Sequence, residues 1–245
     1  MQGHKTVLVV GGTSDIGHAT AKAYAGAGWR VVLAARNEAG ARRNAEDLAT
    51  RSGGPVEVRA LDVLDTPSLA PFLDRLPALP DTVVCVVGEL GEQARAQADL
   101  DHAVQVMRTN FEGPALLLTL TAERFEARGS GLIVGISSVA GDRGRGSNYV
   151  YGAAKAGFTA FLSGLRNRLS PRGVRVVTVK PGFVRTRMTE GMKLPPVLTA
   201  EADEVGRAIL GAERGGDVLY VRPVWRGVMA VIRAIPEPVF KRLKL

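Results

Sequence analysis

The run Val7-Leu8-Val9-Val10-Gly11-Gly12-Thr13-Ser14-Asp15-Ile16-Gly17 decides how the rest of the chain is read. Four consecutive apolar residues, three of them β-branched, form a strand buried on both faces, the habit of a parallel sheet covered by helices. The glycines that follow permit a tight turn, and Ser14 and Asp15 are residue types that open a helix. Such a unit brings unpaired N–H groups and the positive end of a helix dipole to one spot, where an anion such as a pyrophosphate binds. The spacing is Gly-x3-Asp-x-Gly rather than G-x-G-x-x-G, so a glycine turn that binds nothing stands as the alternative. Asp15 suits an N-cap.

Outward from this unit the same grammar repeats. Apolar runs at 7–10, 31–35, 56–60, 82–87, 132–136, 174–179 and 218–221 read as strands. Stretches at 16–27, 39–51, 67–75, 101–127, 149–169 and 202–211 read as the helices between them. Alternation with right-handed crossovers predicts an α/β fold, a single Rossmann-like doubly wound domain over 1–245 with about seven parallel strands and helices on both faces. No linker or repeat divides the chain. Residues 182–199 show no clear element and carry Met188 and Met192 beside Arg185, Arg187 and Lys193; a loop of that length reads as a lid.

Composition narrows the class. At 46% hydrophobic and 23% charged, the chain is globular rather than disordered. A single cysteine, Cys85, excludes an intramolecular disulfide, and three scattered histidines (His4, His18, His102) give no metal cluster. No signal segment and no apolar run of membrane-spanning length are present, so a cytoplasmic protein is expected. The net charge of +8 asks for an explanation. Nucleic acid is disfavoured because no recognised nucleic-acid motif accompanies the charge.

Two further segments give the glycine turn a function. A cofactor with a free ribose 2′-OH is held by an acid about 20 residues beyond the glycines. Here that region reads Leu33-Ala34-Ala35-Arg36-Asn37. A guanidinium binds a 2′-phosphate that a carboxylate would repel. Arg36 therefore predicts NADPH in preference to NAD, with a surface arginine opening a helix as the bland reading. Farther along, Ile136-Ser137-Ser138 ends a strand, and thirteen residues after Ser138 comes Tyr151-Gly152-Ala153-Ala154-Lys155. Tyr and Lys at i and i+4 share a helix face. A nearby ammonium favours the phenolate and moves the tyrosine toward the pH range where proton transfer is efficient, while Ser138 can bond a substrate carbonyl oxygen. Tyr-x3-Lys also occurs by chance on helices, and the preceding serine-ended strand is what favours catalysis here. Cys85 reads as a small buried strand residue.

These residues resemble the short-chain dehydrogenase/reductase family over roughly 5–190. The resemblance implies that the turn holds the cofactor diphosphate through Gly11, Ile16 and Gly17, with Thr13, Ser14 and Asp15 between them. It implies that Asp62 and Val63 meet the adenine, that Val87 and Gly88 flank the cofactor, and that Asn110 supports Lys155 through water. Ser138, Tyr151 and Lys155 match the family's catalytic set, and Pro181, Gly182, Val184 and Thr186 its contacts to the nicotinamide end. Two departures stand out: Asp15 replaces the middle glycine of the turn, and Cys85-Val86-Val87-Gly88-Glu89-Leu90-Gly91 replaces an Asn-Asn-Ala-Gly loop. The loop 87–91, with 109–114 and 180–189, is similar to reductases of decaprenylphosphoryl 2-keto-ribose, which implies a keto-sugar on a polyprenyl phosphate as substrate class. A soluble acyl or small ketone is the alternative within the class, and a non-catalytic sensor of reduced cofactor the alternative outside it. The family usually forms dimers or tetramers, which implies a homo-oligomer.

From Arg222 to Leu245, six basic residues face one acid, Glu237. Apolar turns with Trp225 and Phe240 among them are what an interfacial helix needs. This extension at about 222–245 either touches the inner face of the membrane or closes the substrate pocket or a subunit interface.

Overall fold

The computed structural model describes residues 4–52, 54 and 56–243. In chain order the elements are β1 (Thr6–Val10), α1 (Asp15–Gly26), β2 (Arg30–Ala35), α2 (Glu38–Ser52), β3 (Val56–Ala60), α3 (Thr66–Asp74), β4 (Thr82–Cys85) and α4 (Gln93–Ala98). There follow α5 (Leu100–Met107), a π turn (Arg108–Glu112), α6 (Gly113–Arg128), β5 (Gly131–Ile136), α7 (Tyr149–Leu169) and β6 (Val174–Lys180). The remainder is β7 (Phe183–Arg185), β8 (Thr199–Glu201), α8 (Ala202–Gly211), β9 (Val218–Tyr220), α9 (Val224–Ala234) and α10 (Glu237–Phe240).

Seven strands form one parallel sheet in the order β3-β2-β1-β4-β5-β6-β9. Because alternate residues of a strand face opposite sides, each strand feeds two cores. Leu8, Val10, Val83, Cys85 and Ile133 point to one side and pack on Leu117, Phe125, Phe158 and Leu162 of α6 and α7. Val7, Val9, Val84, Val134 and Val177 point to the other and pack on Tyr24, Leu48, Val205 and Ile209 of α1, α2 and α8. The continuous apolar strands predicted from sequence are the ones covered on both faces. The order of connection reverses between β1 and β4, and such a switch point opens a crevice at the carboxyl ends of the strands.

Two readings from sequence need correction. Residues 101–127 are not one helix, because the π turn interrupts them at Asn110. The wider turn carries the fully buried Asn110, whose amide nitrogen donates to the Val106 carbonyl at 2.8 Å and to the Glu89 carbonyl at 2.6 Å. π turns of this kind gather at functional sites. Residues 182–199 are not without structure either: Phe183, Val184 and Arg185 pair in parallel with Thr199, Ala200 and Glu201. The tail folds back on the body, in keeping with one of the two expectations for it. Trp225 and Met229 of α9 are buried against Val139, with Phe183, Leu198 and Tyr220 around them. Trp225, on the buried side of α9, also lines the cavity that holds Ser138, Tyr151 and Lys155. Lys244 and Leu245 of the basic tail lie outside the described residues.

Candidate active site

At the end of β1 the chain turns at Gly11, whose φ of +95° lies in the left-handed region. A Cβ at Gly17 would strike the Gly11 carbonyl and sit 2.9 Å from Ser14 Oγ, so the start of α1 nests against the turn only without a side chain there. Ser14, not Asp15, caps α1: its Oγ accepts from the Gly17 N–H at 3.0 Å and donates to the Gly11 carbonyl at 2.8 Å. Asp15 is the first helical residue, and its carboxylate is held from far along the chain. The Arg187 backbone N–H donates to it at 2.7 Å and the Arg187 Nε at 3.0 Å, while the same guanidinium donates to the Thr13 carbonyl. A carboxylate beside an anion site would repel the anion; here an arginine faces it.

Two cavities meet above the switch point. One, of about 310 Å³, is lined by Gly11, Thr13, Ser14, Arg36, Asn37, Asp62, Val63 and Thr109 among others. The second, of about 450 Å³, is lined by Ile16, Ser138, Tyr151, Lys155, Pro181, Gly182, Val184 and Thr186, with Trp225 closing it. Val86, Val87 and Gly88 line both, so the cavities form one trough across the strand ends. Of the residues singled out from sequence, Gly17 and Asn110 sit behind this lining and Asp15 at its edge, beside Thr186. Of the lid cations, Arg185 pairs with Glu201 and Arg187 with Asp15. Among the described residues no cluster of His, Cys, Asp and Glu could hold a metal ion.

The second cavity brings Ser138, Tyr151 and Lys155 together. Ser138 leaves β5 with its Oγ accepting from the Ala140 N–H at 3.1 Å. Lys155, one turn after Tyr151 on α7, is 3% exposed and donates from Nζ to the Ile136 carbonyl at 3.1 Å. Its Nζ lies 5.8 Å from the centre of the Tyr151 ring. Burial lowers the Lys155 ammonium to about 8, with Cys85 pulling the other way. Tyr151 differs from the expectation: burial pushes its phenol up, and a hydrogen bond with Ser138 holds it down in part. Desolvation of the phenolate outweighs the hydrogen bond from Ser138.

The variant loop after β4 keeps its shape by a different route from an Asn-bearing loop. Asn110 accepts from the Glu89 N–H at 3.2 Å and donates to the Glu89 carbonyl, clasping both polar groups of one residue. Gly88 lies between Asn110 and Lys155; a Cβ there would be 2.9 Å from Asn110 Oδ1 and 3.2 Å from Lys155 Nζ. Sequence reasoning missed Gln93, Arg145 and Asn148, which also line the cavity. It also missed the buried pair Lys180–Asp142, completed by the Tyr220 hydroxyl donating to Asp142 at 2.8 Å. A signal for that pair existed: Lys180 is the lone lysine at the end of an otherwise apolar run from 176 to 179 broken only by Thr178.

Comparison with known proteins agrees with this geometry. Residues 5–195 match the short chain dehydrogenase family. The chain is 38% identical to an uncharacterized oxidoreductase of Mycobacterium tuberculosis, covering 98% of each chain. It is 34% identical to sulfoacetaldehyde reductase 2 of Chromohalobacter salexigens over 75% of this chain and 74% of that one. Among solved structures, a short-chain dehydrogenase from Sphingobium yanoikuyae in complex with NADPH superposes with a TM-score of 0.81 at 26% identity, over 95% of this chain and 97% of that one.

Proposed function

Since the chain belongs to the short chain dehydrogenase family, we propose that it is an NADPH-dependent carbonyl reductase. The carrying observation is the convergence of Ser138, Tyr151 and Lys155 on the cavity that continues past the Gly11–Gly17 turn. The trough fits the cofactor: Gly11, Thr13 and Ser14 of the turn line it, and the helix N-terminus favours the negative charge of a diphosphate. Arg36 would hold the 2′-phosphate, Asp62 and Val63 the adenine side, and Val87 and Gly88 the middle. Pro181, Gly182, Val184 and Thr186 would hold the nicotinamide end. The NADPH complex of the superposed Sphingobium enzyme supports this choice over NAD.

When bound, NADPH supplies a hydride to the carbonyl carbon. Ser138 donates to the carbonyl oxygen as negative charge develops there. Tyr151, whose phenol burial pushes up, gives that oxygen its proton. Lys155 stabilises the phenolate left behind. Tyr151→Phe is expected to cut kcat by about 10²-fold or more with cofactor affinity kept; retained turnover across a ketone panel would remove Tyr151 from this role and favour a non-catalytic sensor.

On the substrate, the second cavity is walled mostly by apolar side chains, and the exposed Met188 and Met192 stand at its rim. This, with the resemblance of the loop 87–91, supports a keto-sugar on a polyprenyl phosphate over a small soluble ketone. Among the described residues no helix is long and apolar enough to cross a membrane. The outer side of α9 and α10 exposes Val231 and Val239 beside Arg233, Lys241 and Arg242, which supports peripheral contact with an anionic leaflet at the cytoplasmic side. Salt-sensitive co-sedimentation with anionic liposomes checks it, and no binding returns the reading to a soluble ketone. Leu100, Val104, Met107 and Phe111, spaced along one face of α5 and the π turn, are exposed and suit pairing with a second copy; gel filtration reads that oligomer.

A further inference from the structure

The loop joining β5 to α7 carries three charged residues, and two of them are fully engaged. Asp142 takes Lys180 on one carboxylate oxygen and the Tyr220 hydroxyl on the other. Arg143 donates to Glu237 at 2.6 Å and to the carbonyls of Arg233 and Ile235, and lies over the Phe240 ring. Arg145 is different. Its guanidinium has no carboxylate within 4 Å among the described residues; its polar contact is the Met229 thioether at 3.6 Å, and its Nε is buried without a partner. Asp142, the acid whose charge reaches it, has both oxygens occupied. Glu92 lines the same cavity but is exposed and makes no ion pair with Arg145.

Arg145 does not stand alone. The Asn148 N–H donates to the Arg145 carbonyl at 3.2 Å, a turn that puts both side chains on one stretch of cavity wall. Asn148 precedes α7 at the capping position yet makes no side-chain cap, and its Oδ1 is buried without a partner. Gln93 lines the wall too. Its Oε1 accepts from the Val150 N–H at 3.0 Å, which fixes the amide orientation and leaves Nε2 buried and unpartnered. Only four buried side-chain atoms among the described residues lack a partner, and three of them belong to these residues of one cavity. Buried polar groups are normally paired, and a guanidinium set in a largely apolar wall is costly without an anion.

Resting on the carbonyl-reductase reading of this cavity, we propose that Arg145, Gln93 and Asn148 form a subsite for an anionic oxygen group of the substrate. Arg145 supplies the charge, Gln93 a second donor, and Asn148 an acceptor for a neighbouring hydroxyl. The substrate class is then a hydroxylated ketone bearing a carboxylate or phosphate, free or at the head of a lipid.

The test compares matched ketones: levulinate against methyl levulinate, and dihydroxyacetone phosphate against dihydroxyacetone. Palmitoyl-dihydroxyacetone phosphate in neutral micelles separates a lipid-borne anion from a free one. The wild type is expected to favour the charged member of each pair by about tenfold or more in kcat/KM. Arg145→Met brings that ratio near one, and Arg145→Lys keeps part of it. A ratio near one in the wild type, or equal ratios in wild type and R145M, overturns the subsite while leaving the reductase reading standing. If no ketone supports NADPH oxidation, the reductase reading falls, and the subsite is still read by binding. Trp225 lines the same cavity, so its fluorescence reports levulinate without turnover; titration unaltered by R145M overturns the subsite.

Discussion

Lys155→Met is expected to stabilise the protein while abolishing turnover. Lys155 is 3% exposed in the wall of the cavity, and burial takes its pKa from 10.5 to about 8. At pH 7 the amine is protonated in both folded and unfolded chains, and this difference costs the fold about 3 kcal/mol. The folded pKa lies below the unfolded one, so the cost is complete below about pH 8 and shrinks as pH rises toward 10.5, where the unfolded chain loses its proton too. At pH 9.5 about 1 kcal/mol of it remains. Methionine fills nearly the same length without charge but leaves the Ile136 carbonyl without the 3.1 Å hydrogen bond from Nζ, a loss of about 1 kcal/mol. The net gain is then about 2 kcal/mol at pH 7 and close to nothing at pH 9.5. Cys85, pushed up to about 11 by burial, keeps its proton in the folded state across this window, and its titration in the unfolded chain is common to both proteins. Urea unfolding at pH 7 and pH 9.5, at one fixed protein concentration, reads the difference as a midpoint shift with unchanged slope. A variant less stable than wild type at pH 7, or a gain equal at both pH values, would refute the claim that the buried charge strains this site.

The other tests concern the cofactor end of the trough. Arg187→Ala should raise the NADPH dissociation constant by about tenfold or more by leaving the Asp15 carboxylate uncovered beside the turn, and by less than about threefold in an Asp15→Gly background. Fluorescence titration of the four proteins decides, and additive effects would dismiss the clasp. Arg36→Asp should lower the NADPH-to-NADH ratio of kcat/KM by about tenfold or more; an unaltered ratio, measured by steady-state kinetics, would mean that another group reads the 2′-phosphate.

What could be read from sequence was local. A β-branched run ending in glycines specifies a strand and a turn from neighbours alone, and Tyr151 and Lys155 share a face by helix spacing alone, so both were visible. What escaped depends on distant partners. Asp15 looked like a cap because nothing near it in sequence reveals Arg187, 172 residues away. The break in the helix at Asn110 follows from the loop it clasps at Glu89, a contact across 21 residues. The β7–β8 pair has three residues a side, too few for a period to register. Tyr151 was placed correctly on its helix, but its titration depends on burial, which no spacing conveys.

The excess positive charge reads differently once partners are assigned. Arg185, Arg187 and Arg222, in the lid and tail, are matched by Glu201, Asp15 and Glu204. Among the described cations that line the two cavities, Arg36 and Arg145 lack a carboxylate within 4 Å and Lys155 is held by a carbonyl. Arg36 lines the cavity that holds the glycine turn, and Arg145 and Lys155 line the cavity that holds Ser138 and Tyr151. A diffuse field would attract any polyanion with strong salt dependence. Single unpaired cations set in cavity walls instead select where on a ligand the negative charge must sit. Under the proposed function, these groups suit a cofactor with a phosphate at its adenosine end and a substrate that carries an anion besides its carbonyl.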